Sequence, residues 1–488
     1  MIPVLLIAIP LVSGLLAFLM KGGNRAANLS IIGSIATLAV TLWACTTSSA
    51  ECLSYSTEWI PLINSTFTVS IDTLAMIMVL LTGLTYPLIL FIASKNTYSK
   101  PHNYFGLMSF MQAGLMGVFV ANDALLFYFF WELVLIPAYF LCSQWGGEKR
   151  IAATIKFFLY TFFGSLFMLI GIIFISSQAP DHSFSWEAFT QVRLAYKTEA
   201  WVFWFIFIAF AIKVPIFPVH TWQPDTYEQS PTSTTMVLSG LMVKMGIFAI
   251  LKWVVPVMPM STWAWGDTIA TLSVIGMLYA SVIALRQNDI KRLVAYSSIA
   301  HMGLMVLGIF VASDISLQGV MIQMFNHGIT IIALWMVVDI IERNTGTRKL
   351  NELGGLAQKQ PALAILFVVI AFANIALPLT NGFIGEFLLF TGIFTSEVSS
   401  YNVVFTVLAG LGIILSAIYT LNMLQKVLFG KTNNITEKLS DITLAEKCTL
   451  AALVVVIIVL GVYPQPFLEY SQKAVDQLLS VMLLKRPS

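Results

Sequence analysis

Six ionisable residues lie inside long apolar stretches of this sequence, where charged side chains are rare. An ionised group at the centre of a membrane helix costs about 2.5–3.5 kcal/mol, so such residues face the protein interior, pair with one another or line water. Buried ion pairs that only fix helix packing are the simplest alternative. We favour proton transfer, because carboxyl, amine and imidazole groups can each take up and release a proton. The six residues are Glu132, Lys213, Lys244, His301, His327 and Glu386.

Glu132 and Lys213 are the first candidate pair. Glu132 lies in Phe130-Trp-Glu-Leu-Val-Leu-Ile-Pro137, which has no other polar residue nearby, so its partner must come from a different helix, and we predict Lys213. Burial favours the neutral form of each group, whereas a neighbouring opposite charge favours the ionised form. A pair that can separate would therefore act as a proton switch.

Lys244, His301, His327 and Glu386 follow along the chain, each within an apolar stretch. Histidine suits a relay because its pKa lies near neutrality, although a lone buried histidine is more often a hydrogen-bonded core residue. Two histidines on consecutive predicted helices, between Lys244 and Glu386 in chain order, favour the relay. Lys156 is nearer a helix end, where it either reaches the interface as an anchor or joins the proton path.

Prolines interrupt two of these apolar stretches beside the charges. The first break is Lys213-Val-Pro-Ile-Phe-Pro218, and the second is Leu377-Pro-Leu-Thr-Asn-Gly382, just before Glu386. Proline removes a helical hydrogen bond, and carbonyl groups freed within a membrane must be satisfied by side chains or water. Paired interrupted helices in corresponding positions indicate the site of a transporter. We therefore expect local hydration at both breaks.

The composition requires lipid around the chain. Of the 488 residues, 58% are hydrophobic and 10% are charged, and the mean hydropathy is +0.86. Soluble domains carry about 25% charged residues. The net charge of +2 indicates no nucleic-acid surface. The four cysteines have no metal-ligand spacing, so we expect no iron–sulfur or haem site in this chain.

About fourteen transmembrane helices are predicted, since a span needs about 20 mostly apolar residues. Loops on one side hold seventeen of the 26 basic residues and those on the other side hold six. The richer side, here called the basic face, is expected to be cytoplasmic, with both termini outside. The polar segment 49–71 is expected to form a short external hairpin. The predicted spans are 2–20, 27–48, 72–94, 104–121, 124–142, 151–177, 200–227, 232–255, 267–286, 291–312, 317–340, 361–392, 402–428 and 446–466.

The span order predicts an all-α polytopic membrane protein with two inverted five-helix repeats. The break falls in the fourth helix of each repeat, which makes helices 7 and 12 the broken ones. An odd number of helices per repeat inverts the second copy, which would open one half-path to each face. The predicted regions are helices 1–3 in 1–102, helices 4–8 in 103–256, helices 9–13 in 257–430, and a connector, helix 14 and C-terminal tail in 431–488.

With these motifs, the chain resembles the antiporter-like proton-pumping family of respiratory complex I, and within it the bacterial subunit M. The resemblance covers nearly the whole sequence, and its motifs are specific together although each alone is weak. They are Phe130-Trp-Glu-Leu133, Lys213-Val-Pro-Ile-Phe-Pro-Val-His-Thr-Trp-Gln-Pro-Asp225, Ser230-Pro-Thr232, Lys291-Arg-Leu-Val-Ala-Tyr-Ser-Ser-Ile-Ala-His-Met-Gly303, Asn326-His327 and Asn381-Gly-Phe-Ile-Gly-Glu386.

The resemblance implies a horizontal polar axis at mid-membrane, along which protons move when quinone is reduced elsewhere in the complex. It implies that NADH, FMN, iron–sulfur clusters and quinone belong to partner subunits and that no cofactor is bound here. Subunits L and N are the expected neighbours in the bacterial inner membrane. In this family the axis residues match Glu132 on helix 5, Lys213 on helix 7, Lys244 on helix 8, His301 and His327 on helices 10 and 11, and Glu386 on helix 12.

Two other functions stay open. The first is a subunit of a multisubunit Na⁺/H⁺ antiporter, a related transporter. The resemblance places a lysine at the position of Glu386 in that protein and in subunits L and N, so the glutamate favours subunit M. The second is a scaffold that only anchors a complex in the membrane, which would need none of Glu132, Lys213 and Glu386.

Overall fold

The computed structural model describes residues 1–20, 22–47 and 49–484, with side chains as far as Val481. Lys21, Lys485 and Arg486, which contribute to the predicted loop charges, lie outside the described residues. Within the described ranges, twelve helices are long and apolar enough to cross a membrane. The seventh and twelfth crossings each consist of two shorter helices. The all-α fold and both broken helices are therefore confirmed, whereas the inverted relation of the repeats stays a prediction.

The crossing helices are numbered α1 to α14, and the halves of the broken ones are marked a and b. One further helix, α15, covers Gln465–Leu484. Short helices lie between crossings at Ala50–Leu53, Trp186–Gln191 and Leu356–Lys359. The crossings are α1 Ile2–Leu19, α2 Gly23–Thr46, α3 Thr73–Ala93, α4 Pro101–Val120, α5 Ala124–Trp145, α6 Arg150–Gln178, α7a Tyr196–Lys213, α7b Trp222–Gln229, α8 Thr232–Val254, α9 Pro259–Leu285, α10 Ile290–Phe310, α11 Asp314–Thr345, α12a Pro361–Asn374, α12b Asn381–Phe394, α13 Asn402–Leu428 and α14 Leu444–Val462.

The C-terminal segment differs from the prediction, because the expected tail is the helix α15. Ala474, Val475 and Leu478 are buried at helical spacing on one side of it. The Gln318 amide of α11 donates to the Gln472 side chain at 2.7 Å, which ties α15 to the start of that crossing. Polar residues interleave with these apolar positions, so hydropathy alone did not distinguish the helix from a tail.

The predicted hairpin is confirmed. Strand β1 (Ser54–Ile60) pairs antiparallel with β2 (Ser65–Ser70). Asp123, at the N-terminus of α5, joins the hairpin to that helix: its carboxylate accepts from the Ser65 hydroxyl and from three backbone N–H groups. Burial raises the pKa of the Asp123 carboxyl group, and these hydrogen bonds oppose part of the rise. The start of the helix that carries Glu132 is therefore fixed from the hairpin side.

Helices α8 and α11 form the centre of the protein. Every residue in the most apolar window of each is buried, whereas in α2 and α13 only 33% of that window is buried. Gly240 of α8 lies so close to Ile332 of α11 that a larger residue would displace the Ile332 side chain. The absence of a side chain at Gly240 therefore lets the two helices approach each other. Lys244 and His327 therefore lie on the two most enclosed helices, far from lipid.

Candidate functional site

Four of the predicted residues form a buried row of neighbouring side chains. Lys244 Nζ lies 2.7 Å from Nδ1 of His327, and the rings of His327 and His301 have centroids 5.2 Å apart. His301 Nδ1 then lies 3.1 Å from Oε1 of Glu386. The row follows the order Lys244–His327–His301–Glu386, the reverse of chain order for the histidines. This order arises because α11 packs against α8 and α10, and α10 packs in turn against α12b.

A distortion of α8 positions Lys244. A π-helical turn covers Leu238–Met242, immediately before the lysine, and such turns often occur at functional sites. The Lys244 ammonium group donates to the Ser239 carbonyl oxygen at 2.7 Å and makes its second contact with His327. When Lys244 carries its proton, Nδ1 of His327 accepts and the imidazole proton sits on Nε2. The row can therefore pass a proton by exchanging these donor and acceptor roles.

A pair of asparagines connects the histidine helix to the second broken helix. The Asn326 amide donates to the Asn381 carbonyl oxygen at 2.7 Å, and the Asn381 amide donates back to the Asn326 carbonyl oxygen at 3.2 Å. The Thr330 hydroxyl also donates to the Asn381 side chain. Asn326 precedes His327 directly, and Asn381 is the first residue of α12b, five residues before Glu386. This clamp sets the distance between the helices that carry the row.

Glu132 and Lys213 are arranged differently. No ion pair joins them among the described residues, although the two charges interact through space. The buried Lys213 ammonium nitrogen has no hydrogen-bond partner and lies 5.1 Å from the ring centroid of Trp131. Glu132 is only half-buried, because it shares a helix face with the exposed residues Phe129 and Ile136. The predicted pair is thus near but not in contact in this structure.

The break in helix 7 is satisfied by side chains. The Trp222 indole N–H donates to the Ile212 carbonyl oxygen at 2.9 Å, which supplies the partner that the interrupted helix lacks. Lys156 donates to the Thr221 carbonyl oxygen and pairs with Asp225, both at 2.8 Å. Of the two alternatives for Lys156, these contacts favour the anchor, since they hold the start of α7b.

Some buried polar atoms of the row and of its neighbour Asn326 have no hydrogen-bond partner in the protein. Nε2 of His301, Nε2 of His327 and Oδ1 of Asn326 are among them. Such atoms are usually hydrated, so the row has polar contacts to offer to water. In the described ranges, no group of three or more His, Cys, Asp and Glu side chains is arranged to hold a metal ion.

Sequence reasoning missed three contributors to the site. The Ser239 carbonyl group, the Asn326–Asn381 clamp and the ring of Trp131 all position a predicted residue. Trp131 and Asn326 stand next to Glu132 and His327 in the sequence, but adjacency along a helix does not indicate which groups touch. The clamp and Trp131 had a partial signal, because Asn326, Asn381 and Trp131 belong to the motifs quoted above.

Comparisons with known proteins agree with this architecture. A family model described as NADH:quinone oxidoreductase/Mrp antiporter, TM matches residues 121–416. NADH-quinone oxidoreductase subunit M of Rickettsia typhi is 35% identical over 487 residues, which cover 97% of both chains. F(420)H(2) dehydrogenase subunit M of Methanosarcina mazei is also 35% identical, over 96% of both chains.

Solved structures show the same fold. A chain of respiratory complex I from Thermus thermophilus with bound NADH superposes with a TM-score of 0.91 at 27% identity, covering 99% of this chain and 100% of that one. A chain of the Mrp complex from Dietzia sp. DQ12-45-1b gives a TM-score of 0.84 at 19% identity, over 98% of this chain and 99% of that one. The second likeness concerns the fold alone.

Proposed function

Because this chain belongs to the NADH-quinone oxidoreductase subunit M family, we propose that it translocates protons as an antiporter-like membrane subunit of such a complex. The buried row Lys244–His327–His301–Glu386, in which a ring contact joins the two histidines, carries the proposal. Every contact in it joins groups that can gain and lose a proton, and the row is buried in a membrane protein, where ionisable groups are costly unless they have a function.

The row supports a stepwise transfer. Lys244 receives a proton from one face of the membrane and passes it to Nδ1 of His327. That imidazole releases its Nε2 proton towards His301, which passes one to the Glu386 carboxylate. At each step one group loses the proton that the next group gains, so charge moves along the row. The transfer leaves the proton of each imidazole on the other ring nitrogen, so both histidines exchange tautomers before the next cycle. Release from Glu386 to the opposite face completes one cycle.

Glu132 and Lys213 would control this transfer electrostatically. A charge that approaches or leaves Glu132 changes how strongly Lys213 holds its proton. The absence of a fixed hydrogen bond at Lys213 leaves its ammonium group free to respond. Electron transfer in partner subunits would drive this change, and we place NADH, FMN, iron–sulfur clusters and quinone in those partners, with no redox centre in this chain.

We further propose subunits L and N as neighbours, the bacterial inner membrane as the location, and the basic face as the cytoplasmic one, with both termini outside. The electron donor is left open, because relatives with the same degree of identity carry the names of both NADH-quinone oxidoreductase and F(420)H(2) dehydrogenase. A Na⁺/H⁺ antiporter subunit is the second candidate. Glu386 argues against it, since the resemblance places a lysine there.

The test replaces Glu386 with glutamine in the assembled complex, which keeps the shape and removes the titratable group. In inverted membrane vesicles, proton uptake per electron should fall by about a hundredfold, because a positioned proton carrier is lost. The matched control is Glu199→Gln. Glu199 is also buried, but it accepts from the backbone N–H of Ser261, away from the row.

Unchanged uptake in an assembled Glu386→Gln complex would exclude the relay and favour the scaffold. The proteins that co-purify with the chain separate the other two functions. Subunits that oxidise a reduced cofactor and contain iron–sulfur clusters support the respiratory complex, whereas a set of small membrane subunits alone supports the antiporter.

A further inference from the structure

A polar cavity opens on the basic face, beside the first turn of α8. Its volume is about 540 Å³, and charges of both signs line it. Lys291 pairs with Glu342 at 2.8 Å across this region, and the Thr232 hydroxyl donates to the same glutamate. Such a cavity admits water and can supply protons. Its lining includes Tyr98, Lys291, Asp339, Glu342, Arg343 and Arg348.

A chain of four hydroxyl groups leads inward from this cavity. The Tyr98 and Ser233 hydroxyl groups lie 2.8 Å apart, and those of Ser233 and Tyr104 are also 2.8 Å apart. The Tyr104 hydroxyl group lies 3.0 Å from Oγ1 of Thr234. The rings of Tyr98 and Tyr104 stack with centroids 3.7 Å apart, which holds the phenols in place. Ser233, Tyr104 and Thr234 are fully buried, so these hydroxyl groups run from the cavity into the core.

Two contacts align α4 with α8 beyond this point. Tyr104 meets Thr234 near the basic face, and Phe119 packs edge-on against Phe248 near the opposite face. The two helices therefore run parallel and nearly in register between these contacts. Residues about one and two turns beyond Tyr104 on α4 thus lie level with the α8 segment that leads to Lys244.

Three polar side chains occupy this aligned segment without protein partners. They are Ser109 and Gln112 on α4 and Ser239 on α8, all at most 1% exposed. The Ser109 and Ser239 hydroxyl groups and both amide atoms of Gln112 have no hydrogen-bond partner in the protein. A buried polar group without a partner is destabilising, and several together are usually satisfied by water. By this register they lie level with the α8 segment between Thr234 and Lys244, and the Ser239 carbonyl oxygen accepts from Lys244.

We propose that Tyr98, Ser233, Tyr104 and Thr234 form the uptake route by which protons pass from the basic-face cavity to Lys244. The inference rests on the proposed function and adds the groups that supply its first proton carrier. Ser233 is the central member, because it contacts both tyrosines.

The transfer keeps every hydroxyl group neutral overall. Each hydroxyl oxygen accepts a proton from the cavity side while it releases its own proton to the next oxygen, since a hydroxyl is both donor and acceptor. Water held by Ser109, Gln112 and Ser239 carries the proton from Thr234 to the neutral amine of Lys244, which becomes an ammonium group. The hydroxyl groups then rotate back before the next transfer.

The test is Ser233→Ala in the complete complex, with proton uptake per electron measured in inverted membrane vesicles by a pH-sensitive dye. We expect uptake to fall about tenfold or more, because the chain loses its central proton carrier. Tyr104→Phe should have a similar effect. The variant with both substitutions should take up protons as fast as the single variant with the lower uptake, because both changes interrupt the same route.

Tyr86→Phe is the matched control. Tyr86 is also fully buried, but its hydroxyl group donates to the Met108 carbonyl oxygen at 2.6 Å and is not one of the four hydroxyl groups of the route. Uptake like that of the unsubstituted complex in Ser233→Ala and Tyr104→Phe would overturn the route, as would losses that multiply in the double variant. If Ser233→Ala fails to assemble, Tyr98→Phe at the cavity wall is judged by the same criteria.

Two further measurements separate the route from the proposed function. If the unsubstituted complex takes up no protons during electron transfer, the proposed function fails. If it does, and Glu386→Gln abolishes uptake while the Ser233 and Tyr104 variants do not, only the route fails.

Discussion

The two halves of the candidate proton path hold their charges in different ways. In the second half, Lys244 and Glu386 each lie within hydrogen-bonding distance of a histidine, and both are buried. In the first half, Lys213 has an aromatic ring beside it and no hydrogen bond, and Glu132 is half-buried at the surface of the chain. Hydrogen bonds fix positions, whereas ring contacts tolerate movement. The second half is thus suited to passing protons along fixed groups. The first half is suited to changing its charge interactions when Glu132 or Lys213 moves.

Both broken helices, in contrast, are held by hydrogen bonds at the break. At helix 7, the Trp222 indole and the Lys156 ammonium group bond to freed backbone carbonyl groups. At helix 12, Ala376 and Leu379 adopt positive φ angles of 56° and 74°, and Asn381 connects the second half-helix to α11. Residues other than glycine rarely take such φ angles, and they persist only where the surroundings enforce them. The second break is therefore held by tertiary contacts, close to Glu386.

Removing Lys244 from the row should have the largest effect on proton uptake. Lys244→Met keeps an unbranched apolar side chain but removes the amine that contacts His327. Proton uptake per electron should fall by at least about a hundredfold. The measurement is dye-reported uptake in vesicles that contain the assembled complex.

Lys252→Met is the control for that variant, since Lys252 is a second buried lysine on α8. It pairs with Asp72 at 2.7 Å, outside the row. We expect near-normal proton uptake from this control. If proton uptake falls equally in Lys244→Met and Lys252→Met, any buried lysine on α8 is needed for folding. The proposed difference between the two halves would then be wrong.

Loosening the clamp should have an intermediate effect. Asn381→Ala leaves the Asn326 carbonyl group and the Thr330 hydroxyl group without their partners, at a cost of about 1–3 kcal/mol for each buried group. The helices that carry His327 and Glu386 then separate slightly, and uptake should fall about tenfold. Vesicle assays measure uptake, and heating of the solubilised complex measures stability.

Asn402→Ala supplies the comparison for the clamp, since the Asn402 amide also donates to two carbonyl oxygens but is only half-buried, at the start of α13. It should lose little stability and no uptake. If Asn381→Ala unfolds the complex no more readily than this control and pumps normally, the clamp does not position the row.

The smallest effect is expected at the ring beside Lys213. Trp131→Phe weakens the attraction between the ring and the ammonium group, which is worth about 0.5–2 kcal/mol, so uptake should fall roughly threefold. Trp253→Phe is the control, because Trp253 packs among Phe127 and Phe189. If proton uptake falls as far in Trp131→Phe as in Lys244→Met, the first half needs a fixed geometry and does not differ from the second half in this way.

Much of the fold was predictable from the sequence because the bilayer imposes strong rules. A spanning helix needs a long apolar run, a proline interrupts it, and basic loops alternate with the crossings. The fourteen crossings and the breaks at helices 7 and 12 followed from these rules. The helix α15 did not, because its apolar residues are spaced among polar ones and its partner surface on α11 is distant in sequence.

The sequence by itself determined which residues are candidates, since Lys244, His301, His327 and Glu386 stand out as ionisable groups in apolar runs. Only the tertiary structure decided which of them touch. Contact depends on the rotation and neighbours of each helix. A helix that is buried on all sides, such as α8 or α11, has no solvent-exposed polar face from which its rotation could be predicted. Packing therefore placed His327 before His301 and left Lys213 apart from Glu132, for reasons that no local pattern contains.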